Sequence, residues 1–147
     1  MSAPGDVVLD PYMGGGTTIV EAVVQGRRAI GSDINSLSVF LTRTKTTPLS
    51  ERDARGVQSW STALVEGLTY HHPRDELADY LSDRRTKNLS APQLRALKKA
   101  VAIALREADG LPTHRARNFA RCVLLRTPAD ANLVGSAPRR VLHAAVD

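Results

Sequence analysis

The chain has a single cysteine, Cys122, so an internal disulfide and a cysteine-rich zinc site are both excluded. Aromatic residues make up only 4%, which leaves Val, Leu, Ile and Ala to build any core. No apolar run approaches the roughly 18 residues that a spanning helix needs, so no membrane segment is expected. The N-terminus Met1-Ser2-Ala3-Pro4-Gly5-Asp6 shows no basic stretch followed by an apolar one. A secretory leader is therefore not expected, and a cytoplasmic protein is the simplest reading. No Pro-Pro pair occurs anywhere, and no internal repeat or low-complexity tract stands out. What is present suits a folded chain: 147 residues, 42% hydrophobic and 24% charged, the size of one ordinary domain.

The formal net charge of +5 conceals an asymmetry. Residues 1–73 carry six Lys or Arg against seven Asp or Glu, whereas residues 74–147 carry fourteen against eight. Between Arg84 and Arg126 there are eleven basic residues and two acidic ones. A block of that kind suits a polyanion, and it equally suits the solvated face of basic helices.

The order of elements can be read from periodicity and punctuation. Asp6-Val7-Val8-Leu9-Asp10 is a short apolar run with the character of a buried strand. It meets Gly14-Gly15-Gly16, and Thr17 to Gln25 then fits a helix stopped by Gly26. Arg28-Ala29-Ile30-Gly31-Ser32-Asp33 reads as a second strand ending in an acid. Strand, helix and strand within about thirty residues make a βαβ unit with parallel pairing. A second helix is expected from Ser36 to Lys45, with Leu37, Val39, Phe40 and Leu41 as its apolar content.

Beyond Pro48 the pattern is helical. Ser50-Glu51-Arg52-Asp53 resembles a capping box with Asp in place of Glu, and its helix should bury Val57, Trp60, Leu64 and Leu68. His71-His72-Pro73 breaks that helix. Ser90 can cap another, with Leu94, Leu97, Val101 and Leu105 on one side and Gly110 at its end. Thr113 caps a last helix to Arg126, stopped by Pro128. The expected class is α/β: a partial Rossmann-like sheet followed by a mainly helical basic region. The expected divisions are 1–49, 50–127 and an irregular tail at 128–147.

Chemistry concentrates at Val7-Val8-Leu9-Asp10-Pro11-Tyr12-Met13-Gly14-Gly15-Gly16-Thr17-Thr18. A glycine turn between a parallel strand and a helix lets backbone N–H groups approach a ligand, and the helix start favours an anion. No Lys follows the glycines, which argues against a nucleoside triphosphate. Ile19 stands where a dinucleotide fingerprint wants a third small residue, which weakens that reading. Asp10, at the end of the first strand, can face an ammonium. Asp33, at the end of the second, is placed to accept both hydroxyls of a ribose. A ligand with an ammonium, a carboxylate and a ribose is S-adenosylmethionine. Its carboxylate would lie near the amides of Gly16, Thr17 and Thr18, and Ile34 could pack on the adenine.

Asp10-Pro11-Tyr12-Met13-Gly14-Gly15-Gly16-Thr17-Thr18 resembles the cofactor motif of DNA methyltransferases that act on exocyclic amines, adenine-N6 or cytosine-N4. Those enzymes usually show Asp-Pro-Phe, a small loop and Gly-Thr-Thr. Gly26-Arg27-Arg28-Ala29-Ile30-Gly31-Ser32-Asp33-Ile34-Asn35 resembles the continuation, in which the acid binds ribose. Tyr12 in place of Phe, and Ser36 in place of a common Pro, are departures. Lys45-Thr46-Thr47-Pro48-Leu49 is similar to segments of members whose cofactor motif precedes the catalytic one. The resemblance covers residues 5 to about 50, roughly a third of the chain, and is specific in combination. It implies S-adenosylmethionine as cofactor, DNA as partner, and a cofactor site of Asp10, Pro11, Tyr12, Gly14, Gly16, Thr17, Thr18, Asp33, Ile34 and Asn35.

The same family transfers its methyl group with an Asp/Asn/Ser-Pro-Pro-aromatic motif, whose ring stacks on the flipped base. With no Pro-Pro pair, no catalytic residue is assigned, and Asp10-Pro11-Tyr12 lies in the cofactor turn instead. The chain starts almost at the first strand, so an upstream pocket-closing segment is also not expected. The leading expectation is a truncated or split methyltransferase, inactive alone, whose catalytic motif comes from a second chain or a lost segment. The alternatives are a non-catalytic DNA-binding remnant and a decayed gene product.

Other residues carry competing readings. Arg95, Lys98, Lys99, Arg117 and Arg121 are candidate contacts to DNA phosphates, or simply a soluble helix surface. His71-His72 lacks further ligands at metal spacing and reads as a polar loop, so no metal site is expected. Cys122 and Trp60 read as packing rather than as a nucleophile and a base-stacking platform.

Overall fold

The computed structural model describes residues 2–67, Leu81 and residues 95–126. The expectations for Leu68, His71-His72-Pro73, Ser90, Leu94, Pro128 and the tail lie outside those residues. The chain divides into two compact units, Met1–Pro48 and Leu49–Asp147. Among the described residues no helix is long and apolar enough to cross a membrane.

The first unit runs β1 (Val7–Asp10), α1 (Thr17–Val24), β2 (Arg28–Gly31) and α2 (Ser36–Thr46). The two strands pair in parallel, with Val7 opposite Arg28 and Asp10 opposite Gly31. That is the partial Rossmann-like βαβ unit expected from the sequence, but β1 is not the buried strand its apolar run suggested: Val7 and Leu9 are exposed in this two-stranded sheet. Helix α1 contains several β-branched residues, a propensity cost that packing must outweigh. It does so by burying Ile19 and Ala22, while Val23 and Val24 remain exposed. Its end is a Schellman closure. Gly26 at φ +71° donates to Val23 O at 3.0 Å, and Arg27 N donates to Ala22 O at 2.8 Å.

Helix α2 opens on Asn35, whose side chain accepts from Leu37 N at 2.9 Å. Its most buried residues are not the apolar ones that marked it in sequence. Thr42 and Thr44 are buried, Val39, Phe40 and Leu41 are half-buried, and Leu37 is exposed. Further along the helix, Thr46 Oγ1 returns a bond to the helix backbone, donating to Thr42 O at 2.9 Å.

The second unit contains α3 (Glu51–Gly67), α4 (Arg95–Asp109) and α5 (His114–Arg126). Val57, Trp60 and Leu64 on α3 pack with Leu97, Val101, Ile103 and Leu105 on α4 and with Leu124 on α5. Ala100, Ala104 and Ala108 recur every four residues on α4 and are completely buried, as are Ala116 and Ala120 on α5. Such small side chains let helix backbones approach closely, which compensates for the shortage of aromatics. Two caps lock this unit. Ser50 Oγ accepts from Asp53 N at 3.1 Å, and Thr113 Oγ1 accepts from Ala116 N at 3.1 Å. The Asp53 carboxylate accepts from the Ser50 hydroxyl at 2.8 Å and the Thr113 hydroxyl at 2.7 Å, with a smaller contribution from the Ser50 backbone N–H, as a capping box requires.

Candidate functional site

The chain between β1 and α1 is a turn tied at both ends to the segment that follows β2. The strand ladder is continued by Ser32 N, which donates to Asp10 O at 3.0 Å, and by Met13 N, which donates to Ser32 O at 3.1 Å. Ser32 Oγ donates to Pro11 O at 3.1 Å. Asp10 Oδ1 accepts from Tyr12 N at 3.2 Å, a local turn bond that orients the carboxylate at the strand end. Gly14 and Gly16 have φ of +49° and +79°, a region that side chains enter only at a cost. Gly16 has a second constraint: a Cβ there would collide with the Thr42 hydroxyl.

Asp33 is the centre of this arrangement. Its Oδ2 accepts from Gly14 N at 2.9 Å and its Oδ1 from Asn35 N at 2.8 Å. The Asn35 and Gly14 amides, with a smaller contribution from the Ser38 hydroxyl, hold its carboxyl below the ordinary aspartate value. The group is therefore an anion near neutral pH. With the Gly14, Asn35 and Ser38 donors in place, about one of the carboxylate's four lone-pair directions remains to accept a hydroxyl proton.

The start of α1 lies beside this clasp. Gly16 is its N-cap, no side chain caps it, and no acid occupies its first turn. Thr17 and Thr18 are exposed there. Their amides and the helix dipole present partial positive charge.

Helix α2 backs the turn with a polar stripe that sequence reasoning missed. Ser38, Thr42 and Lys45 stand at i, i+4 and i+7, so they share one helix face. Ser38 reaches Asp33, Thr42 lies against Gly16, and Lys45 Nζ donates to Gly15 O at 2.8 Å. The signal was available as polar residues at helical spacing. Nothing in the sequence says which loop such a stripe faces.

Of the ten expected site residues, Asp10, Gly14, Gly16, Thr17, Thr18, Asp33 and Asn35 are gathered around the turn and its clasp. Pro11 contributes a carbonyl to Ser32. Tyr12 is 87% exposed and Ile34 entirely exposed, so neither has a protein surface to pack on. In the second unit Arg95 is exposed, while Lys98, Lys99 and Arg117 are half-buried. Arg121 pairs with Asp109 at 2.6 Å. Cys122 is half-buried on α5, and Trp60 is in the core.

A parallel βαβ unit with a clasped glycine turn and an acid after the second strand defines a partial Rossmann-like site. Comparison with known proteins makes the class specific. Residues 1–40 match the N6/N4 methyltransferase family, described as DNA methylase. The chain is 48% identical over 64 residues to the type II methyltransferase M.MvaI of Kocuria varians. It is 39% identical over 41 residues to the type II methyltransferase M.MjaII of Methanocaldococcus jannaschii. These matches cover 43% and 28% of the chain, but only 14% and 8% of the respective relatives. No solved structure matches. Residues 1–40 are thus similar to the N6/N4 DNA methyltransferase family, as a partial match.

Proposed function

We propose that the chain is the cofactor-binding portion of a truncated or split S-adenosylmethionine-dependent DNA methyltransferase, adenine-N6 or cytosine-N4. The observation that carries this reading is the Asp33 carboxylate bonded to Gly14 N at the end of a parallel βαβ unit. It couples the acid that would hold a ribose to the turn that would hold the rest of the ligand. The donor set fits the cofactor. Asp33 accepts a hydroxyl, Asp10 offers a carboxylate to an ammonium, and the open α1 start receives a carboxylate. When bound, S-adenosylmethionine supplies the methyl group.

In this reading residues 1–49 bind and orient the cofactor, and residues 50–127 form the basic helical region that meets DNA. The segment 128–147 has no assigned role. The amine-binding Pro-Pro-aromatic motif, which this sequence lacks, comes from another segment or chain. Such a protein works on DNA in the cytoplasm.

Isothermal titration of the full chain with S-adenosylmethionine and S-adenosylhomocysteine tests the proposal. Saturable binding that Asp33→Ala largely abolishes supports it. Folded protein that gives no heat at roughly millimolar cofactor rejects it. A second reading, cofactor-independent DNA binding, draws on exposed Arg95 and the basic α4 surface. It predicts salt-sensitive association with DNA that added cofactor does not alter.

A further inference from the structure

The turn that Asp33 clasps carries a positive feature that the resemblance does not assign. Lys45, on α2, places its ammonium 2.8 Å from Gly15 O while its side chain remains exposed. That bond uses one of three N–H donors, so two remain for other acceptors. The neighbouring α1 start has no side-chain cap and no acid in its first turn. Its partial positive charge therefore has no counter-charge within that turn.

A second observation comes from beneath. Thr42 is only 5% exposed, and its hydroxyl lies against Gly16 without a hydrogen-bond partner. A buried hydroxyl without a partner is costly, and it is aimed at the N-cap of the same helix. The ammonium, the open helix start and the unsatisfied hydroxyl all converge on Gly15 and Gly16. Asp10 and Asp33, by contrast, already accept backbone N–H groups. The turn thus brings together carboxylates suited to hydroxyl and ammonium groups and a positive charge suited to an anion.

We propose that Lys45 is a specificity-determining residue, pairing with the carboxylate of the cofactor's amino-acid tail at the start of α1. The inference rests on the cofactor reading above and deepens it. A mono-anionic carboxylate matches a single ammonium plus a helix start, and a charge-assisted bond shared in this way is stronger than a neutral one. Lys45 would act on the tail alone, because in this reading the ribose is held by Asp33.

The test compares two ligands on the full chain. S-adenosylhomocysteine carries the amino-acid tail, and 5′-methylthioadenosine lacks it. For Lys45→Met we expect S-adenosylhomocysteine to bind roughly ten-fold more weakly, the scale of one hydrogen bond to a charged group. Binding of 5′-methylthioadenosine should stay within about two-fold, which also shows that the variant site is folded. Lys45→Arg should recover most of the loss. An equal loss for both ligands would mean that Lys45 merely braces Gly15, and it would overturn the inference while leaving the cofactor reading intact. No change for either ligand would overturn it as well. If neither ligand binds the parent protein, both the cofactor reading and this inference fall.

Discussion

Thr113 Oγ1 donates a 2.7 Å hydrogen bond to Asp53 Oδ1, joining the cap of α5 to the first turn of α3 across sixty residues of chain. The Thr113 and Ser50 hydroxyls hold the Asp53 carboxyl below its ordinary value. Because the folded value is depressed, the unfolded chain binds this proton more readily. The stabilisation is therefore complete above the ordinary aspartate range and is lost as pH falls through the folded value. The urea midpoint, followed by the fluorescence of the one tryptophan, Trp60, should hold above about pH 5 and fall as the pH is lowered through the ordinary aspartate value and below it. Asp53→Asn should flatten that fall. An unchanged pH profile in the variant would assign the acid sensitivity to other carboxylates.

The two caps themselves can be tested at neutral pH. Ser50→Ala and Thr113→Ala should each cost about 1 kcal/mol, the usual value for an N-cap hydroxyl. Because both hydroxyls bond to Asp53, the double substitution should depart from additivity. Denaturation of the two single variants and the double variant measures the coupling directly.

Neighbouring glycines of the turn should respond differently to alanine. Gly16 has φ +79° and no room for a Cβ beside Thr42, so Gly16→Ala should destabilise the first unit by about 2 kcal/mol or more. At Gly15 a Cβ would meet only Lys45 Nζ, at an ordinary 3.9 Å, so Gly15→Ala should change stability little. Hydrogen exchange of the Val20 amide, which bonds to Gly16 O at 2.9 Å, reports on this helix start. Faster exchange in Gly15→Ala than in Gly16→Ala would contradict the assignment.

Core truncation should be expensive in the second unit. Ile103 is 3% exposed at the centre of the α3, α4 and α5 cluster. Ile103→Ala should cost about 2–5 kcal/mol, depending on how far the alanine-rich helices close over the gap. Equilibrium denaturation read from Trp60 gives the value.

The basic residues of the second unit should separate into two groups. If the helices meet DNA, removing Arg95 or Lys98 should reduce the salt slope of binding by about 0.9 for each phosphate left without its cation. Arg121 already has Asp109 at 2.6 Å, half-buried on both sides. Arg121→Ala should leave the slope nearly unchanged and instead lower stability by roughly 1 kcal/mol or less. Binding isotherms at several salt concentrations, beside a denaturation curve, distinguish the two outcomes.

Much of the first unit was legible because its signals are local. The apolar run before Asp10, the glycines after it and the acid at position 33 each constrain backbone within a few residues. Gly26 was readable as a helix stop for the same reason: a left-handed residue closes the helix with two adjacent bonds. Val57, Trp60 and Leu64, and also Leu97, Val101 and Leu105, were recognisable as core from helical spacing alone. The turn's supports were less visible. Asp33 was expected to serve a ribose, and the structure shows that it also holds Gly14. Thr42 and Thr44 are the most buried residues of α2, although hydropathy points to Leu37 and its neighbours.

By itself the sequence determined the βαβ order, the glycine turn and the partial N6/N4 methyltransferase likeness, since each depends on residues near one another along the chain. Only the tertiary structure decided that Lys45 reaches Gly15, that Asp33 clasps Gly14 and that Asp53 answers Thr113. Those partners stand thirty, nineteen and sixty residues apart. A polar side chain offers its donors and acceptors in any setting, and packing of distant segments selects which of them meet.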